Sequence, residues 1–308
     1  MSLNIYKKTK TKDETLPVIP INPNINDPKL YIPSDALVSA VNVALVLNQP
    51  LLVTGEPGTG KTRLADHIAY FFDLGKPIVF NAQTTSSVKE LFYRYDAISH
   101  FQYSQTNKQV LSPDEIEDQY ISYEGIGKAI KEKRRALVLI DEIDKAPRDL
   151  PNDILAALED LKFKVPEIGK TYEAANDQRP VIILTSNSEK NLPDAFLRRV
   201  AYHHIPFPDS KQLLEILQSK VSDYSTTNLE AVIQHFEGIR KGRKTKLRKN
   251  PATAELIYWT LLLQKMGFDS SKLQNTADLN SDERQQLMSS YAVLAKNKED
   301  LASLRKAL

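Results

Sequence analysis

Short apolar runs that stop at a polar residue or a glycine recur along the chain: "PLLVTG" at 50–55, "PIVFN" at 77–81, "ALVLID" at 136–141, "PVIILTSN" at 180–187 and "YHHIPF" at 202–207. Most lack the in–out alternation of a half-exposed strand, and stretches of helical periodicity separate them. That combination predicts a parallel sheet covered on both faces by helices. A helix is predicted ahead of the first strand in "SDALVSAVNVALVLN", with Ser34 as its N-cap after Pro33. Beyond Pro208 the strand signal ends. "SKQLLEILQSKV", "NLEAVIQHFEGIR", "PATAELIYWTLLLQKM" and "DERQQLMSSYAVLAKNKEDLASLRKAL" all carry helical spacing. The expected organisation is an α/β domain over 31–207 and a small all-helical domain over 208–308. Residues 1–30 are polar, bear lysines and are broken by Pro17, Pro20, Pro23 and Pro28, which predicts an extended or poorly ordered arm. No internal repeat is found.

Composition adds mainly exclusions. A chain of 308 residues can bury full cores in two domains. Its formal net charge of +2 advertises neither nucleic acid nor a membrane surface as a partner. There is no cysteine, so disulfides and thiolate metal sites are ruled out. The start of the chain lacks a secretory apolar region, and no long uncharged run would span a bilayer. The expectation is a soluble, cytoplasmic protein without membrane insertion.

Chemistry enters where the first strand ends. Gly55-Glu56-Pro57-Gly58-Thr59-Gly60-Lys61-Thr62 satisfies G-x-x-x-x-G-K-[ST], with Arg63 following in the next helix. Glycines let successive backbone N–H groups face phosphate oxygens, and the helix adds its N-terminal dipole. Lys61 is expected at the β- and γ-phosphates of ATP, and the Thr62 hydroxyl on Mg²⁺. A phosphate donor, a timed switch and a motor all use such a loop, so other residues must choose between them.

"RRALVLIDEIDKA" supplies the second half of the site. Asp141 closes its strand at the edge where α/β sheets bind ligands, and is expected to hold the Mg²⁺ shell. Glu142, beside it, is placed to orient or deprotonate an attacking water. A small-molecule kinase has no need of that group, which favours hydrolysis. Asp144 is assigned no catalytic role. "VIILTSN" ends a further strand, and Asn187 is expected either to sense the γ-phosphate or to serve as a turn residue, the sensing role being favoured in this setting.

The segments "GEPGTGKT", "LIDEIDKAP", "TSN" and "LPDAFLRR", in that order, resemble the AAA+ ATPases and, among them, the MoxR-like branch. The resemblance covers nearly the whole chain apart from the arm. It implies a P-loop sheet domain with a helical lid, a ring that is commonly hexameric, and an arginine delivered into a neighbour's site; that arginine falls on Arg199, with Arg198 as the alternative. It also implies a second arginine sensor at a lid helix. No arginine lies within the helix after Pro251 here, so Arg248 or Lys249 just before it would have to serve. The segment 80–96 matches a stretch leading to the ring pore or face, and 158–173 an inserted β-hairpin with Gly169 at its turn. MoxR-like ATPases remodel or mature partner proteins, often together with von Willebrand factor A domain proteins. Protein clients are therefore the implied partners.

Weaker signals are read more plainly. "RKGRKTKLRK" at 240–249 is basic but lacks the interleaved aromatics of a single-strand binder, so a nucleic-acid-directed motor ranks second. A nucleotide-controlled binding module with little turnover is the other alternative, and Glu142 argues against it. His203 and His204 are adjacent on a strand, so they face opposite ways and cannot chelate one metal. Trp259 is expected in the core of the helical domain. Phe92, Tyr93 and Tyr95 are read as core, with an interaction role left open.

Overall fold

A computed structural model of the chain describes residues 5–6, 15–107, 110–188, 192–242 and 246–308. The chain divides into two compact units: one is Pro33–Glu56 with Gly60–Pro206, the other Phe207–Leu308 with Pro57–Thr59 and the described residues up to Ile32.

The α/β unit opens with helix α1 (Asp35–Leu47), where the Ser34 side chain accepts the Leu37 N–H as anticipated. Strand β1 (Leu51–Gly55), helix α2 (Lys61–Phe71) and strand β2 (Ile78–Asn81) follow. An insertion then runs through α3 (Val88–Phe92), β3 (Tyr93–Tyr95), α4 (Ala97–Thr106), α5 (Pro113–Tyr120), β4 (Ile121–Tyr123) and α6 (Gly125–Lys131). Strand β5 (Leu137–Asp141), helix α7 (Leu150–Asp160), the hairpin β6 (Lys162–Val165)–β7 (Lys170–Glu173), strand β8 (Val181–Ser186), helix α8 (Asp194–Leu197) and strand β9 (Ala201–Ile205) complete it.

The five runs picked out by their apolar pattern form one sheet in the order β2-β5-β8-β1-β9, and every pairing is parallel. Leu52, Val138, Ile140, Ile182 and Leu184 are all buried within it. That is why β1, β5 and β8 read as continuous apolar runs. Register matters more for function. Asn81 stands opposite Asp141, and Thr54 opposite both Ser186 and His204, so the C-terminal ends of the strands meet at one edge.

The insertion was not foreseen in this form. β3 and β4 pair antiparallel, and a buried acid ties β4 to the β6–β7 hairpin. Glu117 on α5 accepts from Lys170 (2.6 Å), Tyr172 (2.7 Å) and Tyr123 (2.8 Å), and also from Lys131. At the hairpin's turn, Glu167 accepts from Lys89 (2.8 Å) and Tyr93 (3.0 Å). Gly169 adopts φ 69° there, a conformation glycine takes without penalty. Phe92 and Tyr93 are buried and stack on Phe163, so they belong to the core.

Burial alone would raise the Glu117 pKa, but the two lysines and two tyrosines outweigh it and hold the carboxyl at about 2. Its unfolded-state value is higher, so its stabilisation is complete above about pH 4.5 and is lost as pH falls toward 2. Glu117→Gln should cost roughly 3 kcal/mol at neutral pH, because two lysines lose their buried partner. Urea unfolding of both proteins at pH 7 and pH 3 should show the gap narrowing in acid; an equal gap at both would contradict the assignment.

The helical unit comprises α9 (Ser210–Lys220), α10 (Thr226–Arg240), α11 (Thr253–Met266), α12 (Ser281–Ser290) and α13 (Lys298–Lys306). Trp259 is fully buried at its centre, its indole N–H donating to Ser290 Oγ at 2.8 Å. Residues 23–30, part of the arm in the sequence reading, form two short 3₁₀ turns capped by Asn22 and Asp27. They are strapped to α9: the buried Lys220 ammonium donates to the carbonyls of Asn24 (2.9 Å) and Asp27 (3.4 Å), and Asn22 Nδ2 donates to Lys220 O (2.8 Å). The parts of the arm at 1–4 and 7–14 lie outside the described residues.

Candidate nucleotide site

Helix α2 begins at Lys61 with Gly60 as its N-cap, at φ 90°. No side chain caps it and its first turn holds no acid, so its leading N–H groups and positive dipole end suit an anion. Gly58 also has positive φ, at 79°, which explains the glycines in this loop.

Lys61 is only 8 % exposed. Its ammonium donates to Gly55 O (2.8 Å), Glu56 O (3.0 Å) and Asn187 Oδ1 (3.0 Å). Burial pulls its pKa down, and the nearby carboxylates of Asp141, Asp144 and Glu142 pull it partly back. A phosphate arriving here would replace neutral carbonyl partners with charged oxygen, strengthening each bond.

Across the sheet edge, the Thr62 hydroxyl lies 3.3 Å from both carboxylate oxygens of Asp141. Both are hard oxygen donors on one small patch. They fit Mg²⁺, which takes one or two protein ligands and fills its remaining positions with water and phosphate oxygens. Among the described residues there is no group of three or more His, Cys, Asp and Glu that could hold a metal ion.

Glu142 leaves the strand in the left-handed region, at φ 56° and ψ 47°. That conformation costs an ordinary residue on the order of 1 kcal/mol. Its N–H is fixed on Thr185 Oγ1 at 3.0 Å, and the Thr185 hydroxyl in turn bonds Asp141. The Glu142 carboxylate is paired with Lys145 at 2.5 Å, a partner the sequence reading did not assign. Asp144 likewise has a defined role: its carboxylate accepts the Asn187 N–H at 3.3 Å and so helps aim that residue. Thr185 and Asp144 are the two site residues missed from sequence. For Thr185, a threonine buried at the end of an otherwise aliphatic run was the available signal.

Lys61, Thr62, Asp141, Glu142 and Asn187 thus converge at one edge of the sheet. Other expected site residues sit elsewhere. Arg63 forms an ion pair with Asp66 at 3.0 Å. Arg198 and Arg199 follow α8 and precede β9, whose first residue, Ala201, donates to Pro50 O at 2.9 Å. They are therefore at the N-terminal end of the strands, away from the phosphate loop of their own chain. Arg248 and Lys249 belong to the helical unit, where their N–H groups donate to the buried Asp300 carboxylate at 2.8 and 3.1 Å. The segment preceding them is partly described. Arg240 donates to Pro251 O and lies 3.6 Å over the Phe207 ring, Lys241 pairs with Glu237, and 243–245 lie outside the described residues. Asn191, at the head of "NLPDAFLRR", is also outside them.

A parallel sheet with a glycine-rich loop at a helix N-terminus, and Asp141 and Asn187 on neighbouring strand ends, defines a P-loop nucleotide-binding unit. More narrowly, residues 50–200 match the AAA domain (dynein-related subfamily). Two curated relatives agree. The chaperone protein ClpB of Mycoplasma genitalium is 29% identical over 196 residues, covering 61% of this chain and 22% of ClpB. The gas vesicle ATPase GvpN of Haloferax mediterranei is 25% identical over 207 residues, covering 64% of this chain and 58% of GvpN. The match therefore spans less than two thirds of either relative. Among solved structures, a RuvB variant of Thermotoga maritima superposes with TM-score 0.45 and 14% identity, over 83% of this chain and 73% of that one. No helix among the described residues is long and apolar enough to cross a membrane.

Proposed function

We propose that the chain hydrolyses ATP within a ring of like subunits, in the manner of MoxR-like ATPases, and uses the cycle to remodel, assemble or activate partner proteins. The observation that carries the reading is the convergence of Lys61 with Asn187 and of Thr62 with Asp141, beside Glu142. Lys61 holds the γ-phosphate by point charge, and the α2 N-terminus takes the remaining phosphate oxygens. Thr62 and Asp141 hold Mg²⁺, which when bound neutralises phosphate charge. Glu142 orients and deprotonates the attacking water after releasing Lys145, and Asn187 reports whether the γ-phosphate is present.

One relative is a chaperone and the other an ATPase of gas vesicles, which favours a protein client. A hexameric ring, a von Willebrand factor A domain client and a cytoplasmic setting extend the same reading. Arg240 and Lys241 already have local partners, which weakens the basic stretch as a nucleic-acid surface. Phosphate release measured with and without added DNA tests both alternatives. Turnover that requires DNA would favour the nucleic-acid motor, and negligible turnover the binding module. Lys61→Ala should lose ATP turnover by a hundredfold or more (~3 kcal/mol), because the phosphates lose their buried point charge. Undiminished phosphate release in that variant would remove the phosphate-loop assignment.

A further inference from the structure

Helix α4 has an odd composition for a surface helix: its ten residues include no lysine, arginine, aspartate or glutamate. None of them is buried, and most are β-branched, aromatic or hydroxyl-bearing, which makes them weak helix formers. Helices shorter than about 12 residues are marginal in water and draw their stability from a packed apolar face. The face that α4 does pack is polar and aromatic. Asp96 caps the helix by accepting the Ser99 N–H (2.9 Å), and His100 stacks on Tyr120 of α5 with ring centroids 4.8 Å apart. The opposite face carries Ile98 and Phe101, one turn apart, which are 73 % and 64 % exposed.

Acids flank this apolar step. Between Asp96 and Tyr120 the sequence holds five acids and one lysine. Two of the acids are answered from outside: Glu117 by Lys131 and Lys170, and Asp114 by Lys170 at 2.5 Å. Asp96, Glu115 and Asp118 are exposed and have no ion pair among the described residues. The Asp96 N–H donates to Tyr120 O (2.8 Å), so the C-terminal end of α5, with its negative dipole and Asp118, meets the start of α4. Backbone and hydroxyl bonds from Ser99 and Ser112 lower the pKa values of Asp96 and Glu115, so both stay charged at neutral pH.

Exposed apolar side chains beside unanswered negative charge do not suit an anionic membrane or a nucleic acid, whose phosphates they repel. They suit a protein segment that brings apolar side chains to Ile98 and Phe101 and lysine or arginine to the acids. We infer that the α4–α5 pair is a docking surface for a basic amphipathic segment of a protein partner. Phe101 is its anchor, and Asp118 steers the partner's cations. The basic stretch 240–249 of a second copy does not meet the requirement, because its one large apolar residue, Leu247, is buried. That the partner is also the client of the ATPase cycle rests on the remodelling reading; the docking itself does not.

The test uses the full chain and a fluorescein-labelled amphipathic peptide of leucine and lysine, with a leucine–glutamate peptide as its counterpart. Anisotropy titration should show saturable binding of the lysine peptide, weakening as salt is raised, and none of the glutamate peptide. Phe101→Ser should lower the affinity roughly tenfold or more, and Asp118→Lys by a similar factor with a shallower salt dependence. Val46→Ser is the control, because it removes a similarly exposed apolar side chain from α1, and it should leave the affinity unchanged. Unaltered ATP affinity in each variant verifies the fold. Amide hydrogen exchange over 97–106 should be fast in the free chain and slow down when the lysine peptide is added. Equal binding of the two peptides, or a Phe101→Ser affinity within twofold of wild type, overturns the docking surface. Protection of 97–106 that rises with protein concentration alone also overturns it, since a second copy would then cover α4. Phosphate release reads the client role separately. Stimulation by the lysine peptide that Phe101→Ser abolishes supports that role, whereas binding without any change in turnover defeats it and leaves the docking surface standing.

Discussion

Glu142→Gln should bind ATP with near-normal affinity and lose roughly a hundredfold or more of its turnover. The substitution keeps the size and hydrogen-bonding reach of the side chain but removes its basicity. It touches neither the lysine that meets the phosphates nor the Thr62–Asp141 pair, so ground-state binding survives. The backbone should survive as well, because the Glu142 N–H stays on Thr185 and glutamine meets the same left-handed φ of 56° as glutamate. The readouts are nucleotide binding by equilibrium titration and phosphate release under saturating ATP. Turnover close to wild type would mean that another group handles the water. Loss of binding together with turnover would mean that the carboxylate, paired to Lys145, serves mainly to hold the loop after β5.

How far the site could be read in advance depended on whether its parts were local in sequence. Lys61, Thr62, Asp141 and Glu142 sit at the junctions where apolar strands end, and the spacing of such junctions is carried by the chain itself. Asn187 needed the strand order as well, because its contact with Lys61 exists only once β8 lies beside β1. The roles of Thr185 and Asp144 depended on the strand order in the same way. Each acts across two strands on a backbone N–H, and neither the type nor the spacing of these residues announces that.

Strands β1, β5 and β8 were legible because burial on both faces leaves an unbroken apolar run, whereas β2 and β9, exposed at alternate positions, were picked out by their place between helical stretches. β3 and β4 were not. Each has three residues with one buried position, Tyr93 and Ile121, too short a run to show a pattern, and β4 is held further by the bond from Tyr123 to Glu117. The strap over Lys220 escaped notice similarly, since asparagine, aspartate and proline near the N-terminus suggest turns but not the helix they bond to. Lys249 shows the limit from the other side. Asp300 fixes its backbone from a position fifty-one residues away, a link no local pattern encodes.

Arg199→Ala should keep ATP affinity and lose about a thousandfold in turnover if its guanidinium completes a neighbour's site. The fold supports action in trans, because Arg199 lies at the opposite end of the strands from Lys61 and Asp141 in its own chain. Mixing Arg199→Ala with Glu142→Gln subunits separates this from a local effect, since neither parent turns over ATP. Where a Glu142→Gln subunit presents its intact Arg199 to an Arg199→Ala neighbour, the interface holds both base and arginine. At equal amounts and random assembly, about a quarter of the interfaces of a closed ring have that order, so about a quarter of wild-type turnover per subunit should return. An arginine acting in cis would give no recovery at any ratio, because each defect would travel with its own subunit. Absence of recovery, with mixed oligomers verified by mass, would count against the trans arginine. An enzyme that stays monomeric and fully active with ATP at every concentration would end the ring reading itself.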